Sequence, residues 1–106
     1  MLTKINRLQK KKDIDMVLKK GRKTGGKLLI LKTIKNNLHQ PRFAFLVSKK
    51  VSNKANIRNK VRRRLRELVK LKIKETKEGT DNLLIALPGL EKKDFQEIKK
   101  IVDKIF

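Results

Sequence analysis

The sequence contains no cysteine, no tryptophan and no tyrosine, and it has a single histidine among its 106 residues. Without cysteine the chain has neither a disulfide framework nor a thiolate metal site. His39 has no second histidine or cysteine with which to form a typical zinc site or catalytic triad. Because it stands beside Gln40 and Pro41, we interpret it as a loop residue. These absences argue against a zinc enzyme and against nucleophilic catalysis.

Acidic residues and long apolar runs are also scarce. The 10 Asp and Glu residues are scattered, and the nearest pair, Asp13 and Asp15, suits the first turn of a helix better than a metal site. No segment approaches the ~20 apolar residues of a membrane span, and the N-terminus lacks the apolar run of a secretory signal. We therefore expect a soluble, cytoplasmic protein with no catalytic residues, no metal site and no stably bound cofactor of its own.

Positive charge is what the sequence has in excess. Lys and Arg number 31 against 10 acidic residues, which gives a formal net charge of +21. Self-repulsion at this charge density opposes folding, whereas nucleic-acid phosphates would neutralise the charge and release condensed counterions. The composition therefore predicts a nucleic-acid-binding protein, and the length predicts a single domain over residues 1–106.

Hydrophobic periodicity predicts elements in the order α-β-β-α-β-α, with room for an additional short strand. The predicted helices run from Asp13 until Gly21 ends the helix, from Ala55 to Lys74, and from about Glu91 onwards; the predicted strands are 27–34, 42–48 and 83–87, with a loop at 77–81. The first two strands are expected to pair as an antiparallel hairpin. The fold class is therefore α+β, an α/β sandwich in which helices pack on a small central sheet.

The most informative segment surrounds the longest predicted helix. At ~100° per residue, Arg58, Arg62 and Arg66 advance by roughly 40° at each step and form a basic face beside an apolar stripe. Glu67 is the one acidic residue in this cluster, so salt bridges within the helix cannot account for it. Arginine can hold a phosphate with two parallel N–H donors, which suits a folded RNA. The predicted RNA-binding residues are Lys49, Lys50, Lys54, Arg58, Asn59, Arg62, Arg63 and Arg66.

This segment resembles the signature of the bacterial ribonuclease P protein family, an Arg-Asn dipeptide followed by basic residues at helical spacing. Arg58 and Asn59 match the dipeptide, and the similarity extends from Asn6-Arg7-Leu8 to the closing helix. The resemblance implies a left-handed βαβ crossover around the signature helix. It also implies that the protein assists a catalytic RNA, with Mg²⁺ held mainly by that RNA, in removing the 5′ leader of precursor tRNA. No obligate protein partner is expected.

The resemblance further implies a cleft between the first helix and the sheet that contacts the single-stranded leader. Its positions correspond to Ile14, Leu18, Ile30 and Lys32. The family usually carries aromatic residues at the positions of Ile14, Leu18 and Lys32, and aliphatic side chains cannot stack on bases as aromatic rings do. We therefore expect apolar packing and the charge of Lys32 to make the contacts. The alternative reading is that Ile14, Leu18 and Ile30 are ordinary core residues.

A second departure from the family lies just before the signature helix. The family usually has glycine there, whereas this chain has Ser52-Asn53 and is one residue longer. Asparagine tolerates the left-handed backbone conformation better than most residues. We therefore expect Asn53 to adopt that conformation and to keep the bend.

Two other classes of protein stay open on the sequence. A ribosomal or other structured-RNA-binding protein would share the charge and the RNA target. A DNA-binding regulator is less favoured, because a helix-turn-helix needs two adjacent helices and the segment before Ala55 is predicted to be a strand.

Overall fold

A computed structural model describes residues 6–76 and 78–106 of the chain. Its helices are α1 (Lys11–Lys20), α2 (Ala55–Lys70) and α3 (Phe95–Ile105), and its strands are β1 (Arg22–Gly25), β2 (Leu29–Lys35), β3 (Arg42–Leu46) and β4 (Thr80–Ala86). Short 3-10 turns follow α2 and β4. The strands form a mixed sheet in the order β1-β2-β4-β3, with helices packed on it. This arrangement confirms the predicted α+β class.

The strand pairing differs from the predicted hairpin. β2 pairs antiparallel with both β1 and β4, while β3 runs parallel to β4. The antiparallel pairing predicted for 27–34 with 42–48 is therefore wrong, because β4 lies between these strands. The physical reason is that all residues of β4 except Ile85 are buried. A strand buried on both faces is stable in the centre of a sheet and not at its edge.

β1 is the additional short strand, and it carries no hydrophobic signal because all four of its residues are exposed. Its last residue, Gly25, has a φ of 89°. A side chain is disfavoured at this φ, and a Cβ there would come within 2.6 Å of the Leu29 carbonyl oxygen. Glycine therefore permits the tight turn that leads into β2.

The ends of two helices differ from the prediction. α2 ends at Lys70 and not at Lys74, because the chain tightens into a 3-10 turn. α3 begins at Phe95, later than the predicted start near Glu91. Its start is fixed by a capping box, in which the Glu97 backbone N–H donates to the Asp94 carboxylate at 2.8 Å and the Glu97 carboxylate accepts from the Asp94 N–H.

The first half of β4 is polar yet buried, so the predicted loop at 77–81 is wrong where it overlaps the strand. Asp81 is 5% exposed and accepts from Arg42 Nε at 2.8 Å and Nη2 at 2.7 Å. Asn36 Nδ2 donates to the same carboxylate at 2.7 Å. The hydrogen bonds that Arg42 donates to the Asp81 carboxylate raise the pKa of Arg42 above its ordinary value. This charge-assisted pair ties the start of β3 to β4.

Hydrophobic clusters lie on both faces of the sheet. α2 and α3 cover one face, where Leu65, Leu84 and Val102 are fully buried. α1 covers part of the other face, where Val17 packs with Leu83. Leu83 and Leu84 reach different clusters because successive side chains of a strand point to opposite faces. None of the helices in the described part of the chain combines the length and the apolar character that crossing a bilayer requires.

Candidate RNA-binding surfaces

α2 carries a basic face beside the apolar stripe that anchors the helix in the core. Val61, Leu65, Leu68 and Val69 are at most 2% exposed. We define the basic face as five arginine and asparagine residues that fall within an adjacent sector of roughly 140° at ~100° per residue. These residues are Arg58, Asn59, Arg62, Arg63 and Arg66. The apolar stripe and the basic face predicted from the sequence are thus on the expected sides of the helix.

Two arginines of the basic face also hold the segment that leads into α2. Arg58 Nη1 donates to the carbonyls of Ser52 and Asn53, both at 3.0 Å. Arg62 Nη2 donates to the Val47 carbonyl at 3.3 Å, just after β3. A guanidinium carries five N–H donors, so these bonds leave donors available to a phosphate. Arg58 and Arg62 therefore hold α2 in position and also contribute positive charge to its surface.

Arg63 and Arg66 differ from these two residues. Neither forms a hydrogen bond or an ion pair with another residue in the described part of the chain, and Arg63 is exposed while Arg66 is half-buried. Their donors are uncommitted, which suits them to phosphate oxygens. Arg64 lies on the other flank of α2 and donates to the Lys93 carbonyl at 3.1 Å. It faces the start of α3 and is not part of the basic face.

The loop between β3 and α2 carries the three predicted RNA-binding lysines, all of them exposed: Lys49, Lys50 and Lys54. Two serine hydroxyls shape this loop, since Ser48 Oγ accepts from the Lys50 N–H and Ser52 Oγ accepts from the Lys54 N–H. The expected left-handed conformation of Asn53 is wrong, because no non-glycine residue among those described has a positive φ. Serine-anchored turns form the bend instead.

Of the four residues predicted for the leader cleft, Ile14, Leu18 and Lys32 meet between α1 and the sheet, and Ile30 lies on the same face of the sheet. Ile14 and Leu18 pack on the apolar cluster beneath α1, and Lys32 Nζ donates to the Leu18 carbonyl at 2.7 Å. Ile30 lies on the same face of β2 as Lys32, because alternate side chains share a face, and it pairs across strands with Ile85. All four are half-buried, so each keeps some surface open to solvent.

Lys32 has a structural contact that the sequence did not suggest. Its bond to Leu18 places a cation at the C-terminal end of α1, where the helix dipole favours positive charge. An ammonium group has three donors, so two remain for an RNA phosphate. Lys23 of β1 is the cross-strand neighbour of Lys32 and is exposed, which adds a second cation beside the cleft. Lys23 could not be recognised from the sequence, because β1 has no apolar pattern.

Comparisons with known proteins agree with this architecture. The family model described as Ribonuclease P matches residues 2–106. A ribonuclease P protein component from Alkaliphilus metalliredigens is 38% identical over 94 residues, which cover 89% of this chain and 84% of that relative. One from Clostridium botulinum is 36% identical over 97 residues, which cover 91% and 86%. The structure of the Staphylococcus aureus RNase P protein has a TM-score of 0.85 at 26% identity, covering 94% of this chain and 91% of that chain. This chain therefore belongs to the ribonuclease P protein family.

Proposed function

We propose that this chain is the protein subunit of ribonuclease P, the ribonucleoprotein that removes the 5′ leader of precursor tRNA. The observation that carries the proposal is the basic face of α2, in a chain that matches the family model over residues 2–106. Arg63 and Arg66 on this face have no acidic partner among the described residues. A polyanion is the natural partner of such a surface, because its phosphates replace the missing counter-charges.

In this proposal the two surfaces bind different parts of the complex. The basic face of α2 and the lysines of the preceding loop dock on the catalytic RNA through its phosphates. The cleft between α1 and the sheet contacts the leader, with Ile14, Leu18 and Ile30 packing on bases and Lys32 on phosphate. Because α1 and α2 lie on opposite faces of the sheet, one small protein can contact both RNAs at once.

The chemistry in this proposal belongs to the RNA subunit and to Mg²⁺ held mainly by that RNA. Among residues 6–76 and 78–106, no three His, Asp or Glu side chains come together in a group that could hold a metal ion. The chain itself would supply positive charge and shape, with no catalytic residue and no cofactor of its own. It would act in the cytoplasm, without an obligate protein partner.

Reconstitution tests the proposed function. The purified chain should stimulate 5′ cleavage of precursor tRNA by a bacterial ribonuclease P RNA at low Mg²⁺, and it should cleave nothing when the RNA is omitted. Binding to the RNA should weaken steeply with salt, with a logarithmic slope of about 0.7–0.9 per neutralised phosphate. RNA binding without stimulated cleavage would favour a ribosomal or other structured-RNA-binding role. Cleavage by the chain alone would contradict an RNA-based mechanism.

The substitution Lys32→Ala tests the leader cleft. We expect the holoenzyme to bind precursor tRNA roughly 3–10-fold more weakly, the loss of about one phosphate contact at moderate salt. Binding of mature tRNA should change little, because mature tRNA has no leader. Lys32→Arg is the matched control, since it keeps the charge and can still donate to the Leu18 carbonyl. Equal losses for precursor and mature tRNA would assign Lys32 to the stability of α1 alone.

A further inference from the structure

A cavity of about 230 Å³ opens at the outer edge of β3, between the segment before α1 and the helix α2. We call it the β3-edge cavity. Its lining combines apolar with polar and cationic side chains and includes Arg7, Gln9, Ile14, Phe45 and Arg66. None of the described residues that line it is acidic. The cavity is smaller than the ~300–1,000 Å³ pockets that enclose drug-sized ligands, and it lies at one side of the basic face.

The edge of β3 is only partly covered at this place. Arg7 forms a backbone bridge with Phe43, and the Leu8 N–H donates to the Phe43 carbonyl at 2.8 Å. Peptide groups alternate in direction along a strand, so the N–H and C=O of Phe45 point to the same outer edge as those of Phe43. The described residues before α1 form no bridge with Phe45. The cavity therefore borders a strand edge that offers both a donor and an acceptor.

The two arginines that line the cavity have unmet bonding capacity. Arg66 has no hydrogen bond or ion pair with another residue in the described part of the chain. The Nε of Arg7 is buried and has no hydrogen-bond partner among residues 6–76 and 78–106. A buried donor without an acceptor destabilises the folded protein, most of all on a charged group. An anion beside the guanidinium would offset this cost.

We propose that the β3-edge cavity takes one unpaired nucleotide of the catalytic RNA. Its base would lie against Phe45, and its phosphate would lie between Arg7 and Arg66. Proteins that recognise folded RNA bind unpaired bases splayed out of the helix and stack them on aromatic rings, and arginines hold the adjoining phosphates. The proposal rests on the proposed function and deepens it, because it identifies a specific element of RNA that the chain reads.

The catalytic RNA, and not the leader, is the source of this nucleotide. Arg66 belongs to the basic face that docks on the catalytic RNA, and it also lines the cavity. An RNA bound to the basic face therefore lies next to the opening of the cavity. Phe45 packs on the core beneath α2 and α3, whereas Ile30 and Lys32 of the leader cleft point to the α1 side of the sheet. Ile14 borders both sites and separates them.

Phe45→Leu is the main test, because it removes the aromatic ring and keeps an apolar side chain. The affinity for a bacterial ribonuclease P RNA, measured without any tRNA, should fall on the order of tenfold, within the range known for stacking on an aromatic side chain. Phe95→Leu is the matched control, a half-buried phenylalanine of the same core cluster outside the cavity. When its melting temperature equals that of Phe45→Leu, the Phe95→Leu variant should bind the RNA with wild-type affinity.

Chemical probing of the RNA locates the nucleotide. Wild-type protein should change the 2′-hydroxyl reactivity of one unpaired nucleotide. With the Phe45→Leu variant, this nucleotide should keep the reactivity that it has in the free RNA. Arg7→Gln should lower RNA affinity several-fold, for the loss of one phosphate contact. Its melting temperature should stay the same or rise, because the buried Nε has no partner to lose. A parallel loss of affinity and stability in Arg7→Gln would make Arg7 structural and would count against the proposal.

Two results would overturn the proposal outright. One is wild-type RNA affinity of Phe45→Leu at equal stability. The other is a loss that appears only with precursor tRNA and not with catalytic RNA alone, because the cavity would then hold the leader. Failure of the proposed function is a separate outcome, since the wild-type chain itself would then fail to stimulate cleavage by the catalytic RNA.

Discussion

Replacing Arg62, Arg63 and Arg66 together by glutamine should lower the affinity for the catalytic RNA on the order of 100-fold near 0.15 M salt. Each lost phosphate contact removes about 0.7–0.9 from the logarithmic salt slope, which corresponds to roughly 4–5-fold in affinity at this salt. The slope should therefore become smaller by roughly 2–3. Titrations of the RNA at several salt concentrations measure both quantities, and thermal melting verifies that the variant folds.

The control removes the same charge from another part of the molecule. Lys74, Lys92 and Lys100 are exposed and lie outside α2, so their joint replacement by glutamine removes three charges and leaves the basic face intact. RNA affinity should change little. Arg64→Gln should also have a small effect on RNA affinity, because Arg64 faces the start of α3 and lies outside the basic face. If these controls lost as much affinity as the triple variant, binding would follow bulk charge and the basic face would be wrongly assigned.

The two sides of α2 could be predicted from the sequence because their pattern is local. Side chains three and four residues apart share a helix face, so the buried Val61 and Leu65 and the basic Arg62 and Arg66 separate on a helical wheel without knowledge of the fold. The same holds for Ile14 and Leu18, which lie one turn apart on α1. The prediction that these two residues lie near Lys32 came from the family resemblance. Periodicity alone does not indicate which helix covers which strand.

Features that depend on distant parts of the chain were missed. The burial of Asp81 depends on Arg42 and Asn36, and a polar residue that is satisfied by remote partners leaves no hydrophobic signal. The predicted hairpin was wrong for a related reason. Adjacency in sequence favours the pairing of β2 with β3, whereas the buried strand β4, which separates them, comes later in the chain. The β3-edge cavity joins Arg7 to Arg66, and no local pattern links these two residues.

Leu65→Ala should destabilise the protein by about 2–5 kcal/mol, because it deletes buried methyl groups and leaves a cavity. Leu65 is completely buried between α2 and the sheet. The total stability of a domain is about 5–15 kcal/mol, so this loss is a large part of it. The melting temperature should fall by roughly 8–40 °C at about 4–8 °C per kcal/mol. Leu71→Ala is the matched control, since Leu71 is 69% exposed and its loss should stay within about 0.5 kcal/mol.

RNA binding by Leu65→Ala should separate the anchoring of α2 from the contacts that α2 makes. The variant keeps every side chain of the basic face, so the folded fraction should bind RNA with the wild-type salt slope. Its apparent affinity should fall only by the fraction that is unfolded, and saturating RNA should restore folding by mass action. A smaller salt slope at unchanged stability would contradict this prediction, because it would mean that Leu65 contacts the RNA or repositions the arginines. The wild-type slope together with a lowered melting temperature would show that the buried stripe anchors the helix and makes no contact with the phosphates.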